Sequence, residues 1–195
     1  MPTRETRSER RALSHVDRGG RPRMVDVSAK PPTARRAVAE AELRVSQETL
    51  TLVIDGALAK GDVLTVAELA GVMAAKRTSE LIPLCHPVAL TDSAVEIRPD
   101  RAAGAFRIRA SAATVSSTGV EMEALVAAAI AGLTVYDMVK SVDRGAELGG
   151  VRLLEKSGGK SGEWHRPAEA EATPRAHPPR AARGTGRVTR TGRRP

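Results

Sequence analysis

The sequence predicts an α+β domain, a ferredoxin-like βαββαβ arrangement with an antiparallel sheet and helices on one face, acting as an oligomer. Three observations lead there. Short stretches alternate apolar and polar residues, as half-buried strands do. Two Ala/Leu/Val-rich runs with helix-start signals lie between them, giving the order β, α, β, β, α, β. Only three aromatic residues, Phe106, Tyr136 and Trp164, occur in 195. The core is therefore aliphatic, and a one-sided sheet with an alanine-rich helix gains burial by pairing with further copies.

Residues 36–46 place Val38, Glu40, Glu42 and Arg44 on one side and Ala39, Ala41, Leu43 and Val45 on the other. Residues 47–56 read as a short helix ending at Asp55-Gly56, followed by a loop, 57–62, that carries Lys60 and Gly61. Thr65-Val-Ala-Glu68 is a capping-box sequence opening a helix to about Leu81, limited by Pro83. Residues 93–98 and 105–115 alternate around a turn from Arg98 to Gly104. A second capping box, Thr118-Gly-Val-Glu121, opens an apolar helix to about Val142. A last strand, 150–155, runs into the glycine-rich stretch Lys156 to Gly162.

The net charge of +8 raises the question of nucleic acid, and its location bears on the answer. Residues 1–23 carry +4, residues 163–195 carry +5, and residues 24–162 carry −1. A nucleic-acid-binding domain carries its basic patch on the folded part, whereas here the folded part is close to neutral. The chain divides accordingly into a disordered basic extension (1–23), one domain (24–162) and a disordered basic tail (163–195). A non-enzymatic nucleotide- or RNA-binding module using the tails is the alternative reading. The single cysteine, Cys85, excludes an internal disulfide and fits a reducing, cytoplasmic compartment. No apolar run reads as a membrane span, and no apolar segment follows the N-terminal arginines as in a secretory signal.

Two segments carry the chemistry. Leu81-Ile-Pro-Leu-Cys-His-Pro87 sets Leu84, Cys85 and His86 at a helix end, and Thr118-Gly-Val-Glu-Met-Glu-Ala124 sets Glu121, Met122 and Glu123 at a helix start. His86 is either structural or a general acid or phosphate contact. Glu121 and Glu123 either cap the helix or accept hydrogens from a guanine-like N–H edge. Asp137 and Lys140 share a helix face, either as a surface ion pair or as an acid tuning a catalytic ammonium. Glu121 and Asp137 lie ~24 Å apart at 1.5 Å rise per residue, so one small substrate reaches both only in a site shared between subunits. Lys76-Arg77 adds two cations, and Lys156-Ser-Gly-Gly-Lys160 offers an anion backbone N–H groups. That run is not a Walker A loop, because Leu154 occupies the first glycine's place. The histidines and the cysteine show no metal-ligand spacing, so no metal site is expected.

These residues carry a resemblance. The chain resembles the cyclic pyranopterin monophosphate synthase family, the C proteins of early molybdenum-cofactor biosynthesis. The shared blocks are Met24-Val-Asp-Val-Ser-Ala-Lys30, Ile54-Asp-Gly56, Lys60-Gly-Asp62, Ala74-Ala-Lys-Arg-Thr78, Leu81 to Pro87, Thr118 to Leu125, Leu133-Thr-Val-Tyr-Asp-Met-Val-Lys140 and Val151 to Gly162. They run in order across residues 24–162. The resemblance implies a phosphorus–oxygen lyase that converts 3′,8-cyclo-7,8-dihydroguanosine 5′-triphosphate to cyclic pyranopterin monophosphate and diphosphate. It implies no redox cofactor and leaves a need for Mg²⁺ open. It also implies a homohexamer, a trimer of dimers, with sites at the dimer interface. By motif, Asp137, Lys140, Lys60 and His86 would be catalytic. Leu84, Cys85, His86, Met122 and Glu123 would bind substrate, supported by Asp26, Lys30, Arg35, Lys76, Arg77, Glu121 and Lys156. Several relatives carry a lysine where this chain has Ser117.

Overall fold

The computed structural model describes Gly19, residues 21–59 and residues 61–167. Most of the two basic extensions and Lys60 fall outside the described residues. In chain order the elements are β1 (Thr33–Arg44), α1 (Gln47–Ile54), α2 (Val63–Ala75), α3 (Thr78–Leu81), β2 (Asp92–Asp100), β3 (Ala105–Ser116), α4 (Glu121–Val139), β4 (Glu147–Ser157) and β5 (Trp164–His165). The strands form one sheet in the order β2-β3-β1-β4-β5, and every neighbouring pair is antiparallel.

The alternation in β1 decides its two faces. Ala37, Ala39, Ala41 and Leu43 are buried in the core with Phe106, Ile108, Ala110 and Ala112 of β3. On the opposite face Arg44, Arg107 and Arg109 are exposed. The small side chains let α4 lie close against the sheet, as Gly132 does beside Ile108 and Leu148. α2 packs on α4 equally closely, with Gly71 against Ala127 and Ala131. Burying each of Phe106, Leu43, Leu50 and Ile108 contributes roughly 1.5–3 kcal/mol, so a core of alanines and a few large aliphatics suffices.

Several expectations need correction. The sheet has five strands rather than four, because β5 adds to β4 within the stretch 163–195. The Thr65–Glu68 capping box does not form. Asp62 is the N-cap of α2 and its carboxylate accepts from Thr65 N at 3.1 Å. Glu68 instead accepts from Ile97 N on edge strand β2, at 2.9 Å. The run expected to reach Leu81 as one helix breaks at Lys76-Arg77, and α3 is a separate turn. The second capping box is also absent, for Val120 stands at the N-cap of α4 with no side-chain bond. α4 ends at Val139, short of Val142. β4 starts before residue 150 and accommodates two register shifts against β1, with Gly150 at φ 61. Finally, α4 is long and apolar enough to cross a membrane by length and composition. It has that character because the sheet and α2 cover it on two sides; Ala124, Ala128, Val135 and Val139 are fully enclosed.

Candidate functional site

β3 hands the chain to α4 through residues 117–120, and the candidate site is built around that junction. Val120 at the N-cap of α4 makes no side-chain capping bond, and the helix start is an electropositive end. Glu121 and Glu123 stand in that turn. Glu121 Oε1 is 3.4 Å from Lys156 Nζ, at the far end of β4. Lys156 Nζ also donates to Ser161 Oγ in the glycine loop. A Cβ at Gly158 would strike the Ala34 carbonyl, and one at Gly159 would strike the Arg35 guanidinium. Both residues have positive φ, 91 and 71, so backbone conformation favours glycine at each, and at Gly158 the rigid Ala34 carbonyl adds a second reason.

Arg35 is held from the other side. Its Nε donates to Ser116 O at 2.9 Å and its Nη2 to Ser117 O at 3.1 Å. Ser117 Oγ donates to Lys30 O at 2.7 Å. Lys30 closes a turn by donating its N–H to Val27 O at 3.0 Å. Asp26 accepts from Ser28 N at 2.9 Å, and this bond holds its carboxyl below the usual carboxylate range. His86 Nε2 lies 2.8 Å from Val25 O. A carbonyl only accepts, so with this ring orientation Nε2 carries the hydrogen and Nδ1 is the basic nitrogen.

Glu123 is 4% exposed. Burial, with the Glu121 charge adding to it, pushes its carboxyl above the usual range. Burial also lifts the Cys85 thiol, with the Glu123 charge second, so Cys85 is a poor nucleophile. Leu84 and Met122 are half-buried on the same two segments. Lys76 and Arg77 are exposed at the end of α2. Glu68 of α2 meets Ile97 and Gly71 meets Val95, which aims the helix C-terminus toward the β3–α4 junction.

Asp137 and Lys140 sit at the opposite end of α4. Lys140 Nζ is 2.5 Å from Asp137 Oδ1, and both side chains are more than half exposed. The hydrogen bond that Lys140 donates to Asp137, with the carboxylate's charge, raises the Lys140 pKa. The structure therefore gathers Asp26, Lys30, Arg35, His86, Glu121, Glu123 and Lys156 and leaves Asp137 and Lys140 a helix length away. Sequence reasoning missed the tethers Ser116 and Ser161, and noticed Ser117 only as a departure from relatives.

Among the described residues no group of three or more His, Cys, Asp or Glu is arranged to hold a metal ion. A concavity of about 1020 Å³ lies elsewhere, on the open face of the sheet. Its charges neutralise one another through pairs such as Arg152–Glu40 at 2.5 Å and Arg98–Glu96 at 2.6 Å. Chemistry thus favours the junction over the larger hollow. A smaller cavity of about 210 Å³ lies between β4 and β5, lined by Arg36, Glu155, Lys156 and His165.

Comparison with known proteins shows which family the chain resembles. Proteins from Brucella ovis, Brucella melitensis and Brucella suis, each named cyclic pyranopterin monophosphate synthase, are 57% identical to the chain over 152 residues. The matches cover 78% of this chain and 92% of each relative. Residues 24–159, from the Asp26–Lys30 turn through Lys156 to Gly159, match the model of the MoaC family, and the chain belongs to that family.

Proposed function

We propose that the protein converts 3′,8-cyclo-7,8-dihydroguanosine 5′-triphosphate to cyclic pyranopterin monophosphate with release of diphosphate, as a lyase of molybdenum-cofactor biosynthesis. One observation carries the reading. Cations and acids suited to a purine triphosphate converge at the start of α4, in a chain 57% identical to proteins named for that synthesis. Lys30, Arg35 and Lys156 would neutralise the phosphates, with Lys76 and Arg77 flanking and the electropositive start of α4 assisting. Glu121 and Glu123 would accept the N–H edge of the guanine-derived ring, with Leu84, Cys85 and Met122 against its faces. His86 Nδ1 and Lys60 would serve proton transfers, since a rearrangement of this kind needs an acid and a base near neutrality.

Asp137 and Lys140 enter this scheme from a second copy. The paired charge keeps Lys140 protonated, fit to act as a general acid toward the leaving group. A site drawn from both ends of α4 requires subunits packed with these helices antiparallel. We read the oligomer as a homohexamer, a trimer of dimers, and the order of the four long strands as ferredoxin-like. Exposed Val66, Leu69 and Met73 on α2 and Leu133 on α4 give such packing apolar surface. The rearrangement involves no net oxidation, so we propose no redox cofactor, with Mg²⁺ only as a companion of the triphosphate. A chain with one cysteine, and so no internal disulfide, suits a cytoplasmic site of action.

The test is a coupled assay. The preceding radical enzyme and GTP supply the cyclic intermediate, and fluorescence of the oxidised pterin reports product. Wild type is expected to form product, and Lys140→Ala and Lys60→Ala to lose at least about a hundredfold in rate while assembling normally. Normal turnover by both variants overturns their roles. No product from correctly assembled wild type overturns the function. Trimming to residues 24–167 tests the binding-module alternative: an enzyme keeps its rate, whereas a tail-driven binder loses its salt-dependent affinity for RNA.

A further inference from the structure

Residues 25–30 belong to no helix or strand, yet side chains from two distant parts of the fold hold them at both ends. At one end the bond is His86 Nε2 to Val25 O, spanning 61 residues of sequence. At the other it is Ser117 Oγ to Lys30 O, spanning 87. Between the anchors the segment folds on itself through the Asp26–Ser28 and Lys30–Val27 bonds. Val25 and Val27 are half-buried while Asp26, Ser28 and Lys30 are exposed, so one side rests on the protein and the other carries the polar groups. Ser117 also lends its carbonyl to Arg35. One residue therefore links the segment to the guanidinium beside the glycine loop.

We propose that His86 and Ser117 are positioning residues that latch residues 25–30 as a strap beside the start of α4, holding Lys30 and Asp26 in register with Arg35 for a polyanionic nucleotide. This inference rests on the site proposed above. Each latch bond is a side-chain donor on a strap carbonyl. An unlatched strap loses its fixed Lys30 and must be ordered again at every binding event, which weakens binding more than it slows chemistry. Nε2 of His86 donates in both the neutral and the charged ring, so the latch is insensitive to protonation. The Ser117 hydroxyl is neutral and holds at any pH.

Hydrogen exchange of the full-length protein, read on peptides covering 25–30 and on α4, tests the latch without reference to activity. His86→Ala and Ser117→Ala should each speed exchange of the strap amides about fivefold, the effect of losing one net hydrogen bond, with α4 unchanged. His86→Gln and Ser117→Thr keep a donor and should restore protection. In the coupled assay Ser117→Ala should raise KM several-fold with kcat within about twofold, and Ser117→Thr should reverse that rise. Unchanged strap exchange in both alanine variants overturns the latch, whatever the activity. Faster exchange with an unchanged KM in Ser117→Ala overturns the positioning role. If wild type proves inactive, the function reading fails and the exchange result still decides the latch.

Discussion

Glu123 shows how one residue couples stability to chemistry. Its carboxyl is buried beside Glu121, and both factors favour the protonated form. The folded pKa thus lies above the unfolded value of 4.5. Between the two the folded state binds more protons than the unfolded state, so stability falls as pH rises through that window. Glu123→Gln cannot lose a proton and escapes the penalty. The variant should match wild type in thermal midpoint below about pH 4.5 and exceed it progressively as pH rises from there to the folded pKa, with a constant lead above it. Its product formation should fall, because the amide offers the guanine-derived N–H edge one acceptor oxygen where the carboxylate offers two. Parallel midpoints for the two proteins across pH 4–8 would rule out a raised Glu123 pKa. Arg35 illustrates the opposite economy, as its guanidinium is fixed by two carbonyls and needs no acid to hold it.

At the scale of elements, α2 is decided by its ends and by one glycine. Asp62 caps it through Thr65 N and Thr65 Oγ1. Asp62→Ala should therefore lower the thermal midpoint by roughly 2–4 °C. Gly71 fixes the approach of α2 to α4, since a Cβ there would lie 2.9 Å from Ala127 O and 2.9 Å from Val95 Cγ2. The backbone oxygen cannot yield without moving α4. Gly71→Val should cost about 1–3 kcal/mol, seen as a lower urea midpoint with an unchanged m-value. These two cases mark how far sequence carries. The faces of β1 are legible because Ala39, Ala41 and Leu43 alternate with charges, and the order of strands and helices is legible from the same periodicity. The capping boxes are not, because a glutamate three residues into a helix can reach back to its cap or outward to another element. Glu68 reaches Ile97 and Glu121 reaches Lys156, and only the tertiary fold decides which. The site divides in the same way. Residue types at the start of α4 are legible from the sequence, whereas the His86–Val25 and Ser117–Lys30 tethers have no local signature.

For the whole molecule, the length of α4 is the governing fact. Glu123 and Lys140 lie on one rigid helix about 25 Å apart at 1.5 Å per residue, and the packed sheet beneath prevents bending. If both serve one reaction, each site takes the start of α4 from one subunit and the end from another. Subunit mixing then has a definite outcome. Glu123→Gln and Lys140→Ala, each inactive alone, are co-expressed with different tags. In a mixed dimer one of the two sites combines both lesions and the other has neither. Random pairing makes half the dimers mixed, so the pool should recover about one quarter of wild-type activity. Purification through both tags should raise that to about one half if the selected unit is a dimer. The double variant Glu123→Gln/Lys140→Ala mixed with wild type gives the control: a mixed dimer then has one lesion in each site and no activity. Recovery near one quarter in the first mixture, with loss in the second, is expected of a shared site. No recovery in the first mixture, despite demonstrated mixed dimers, would put both ends of α4 to separate uses and remove Asp137 and Lys140 from the reaction at Glu123.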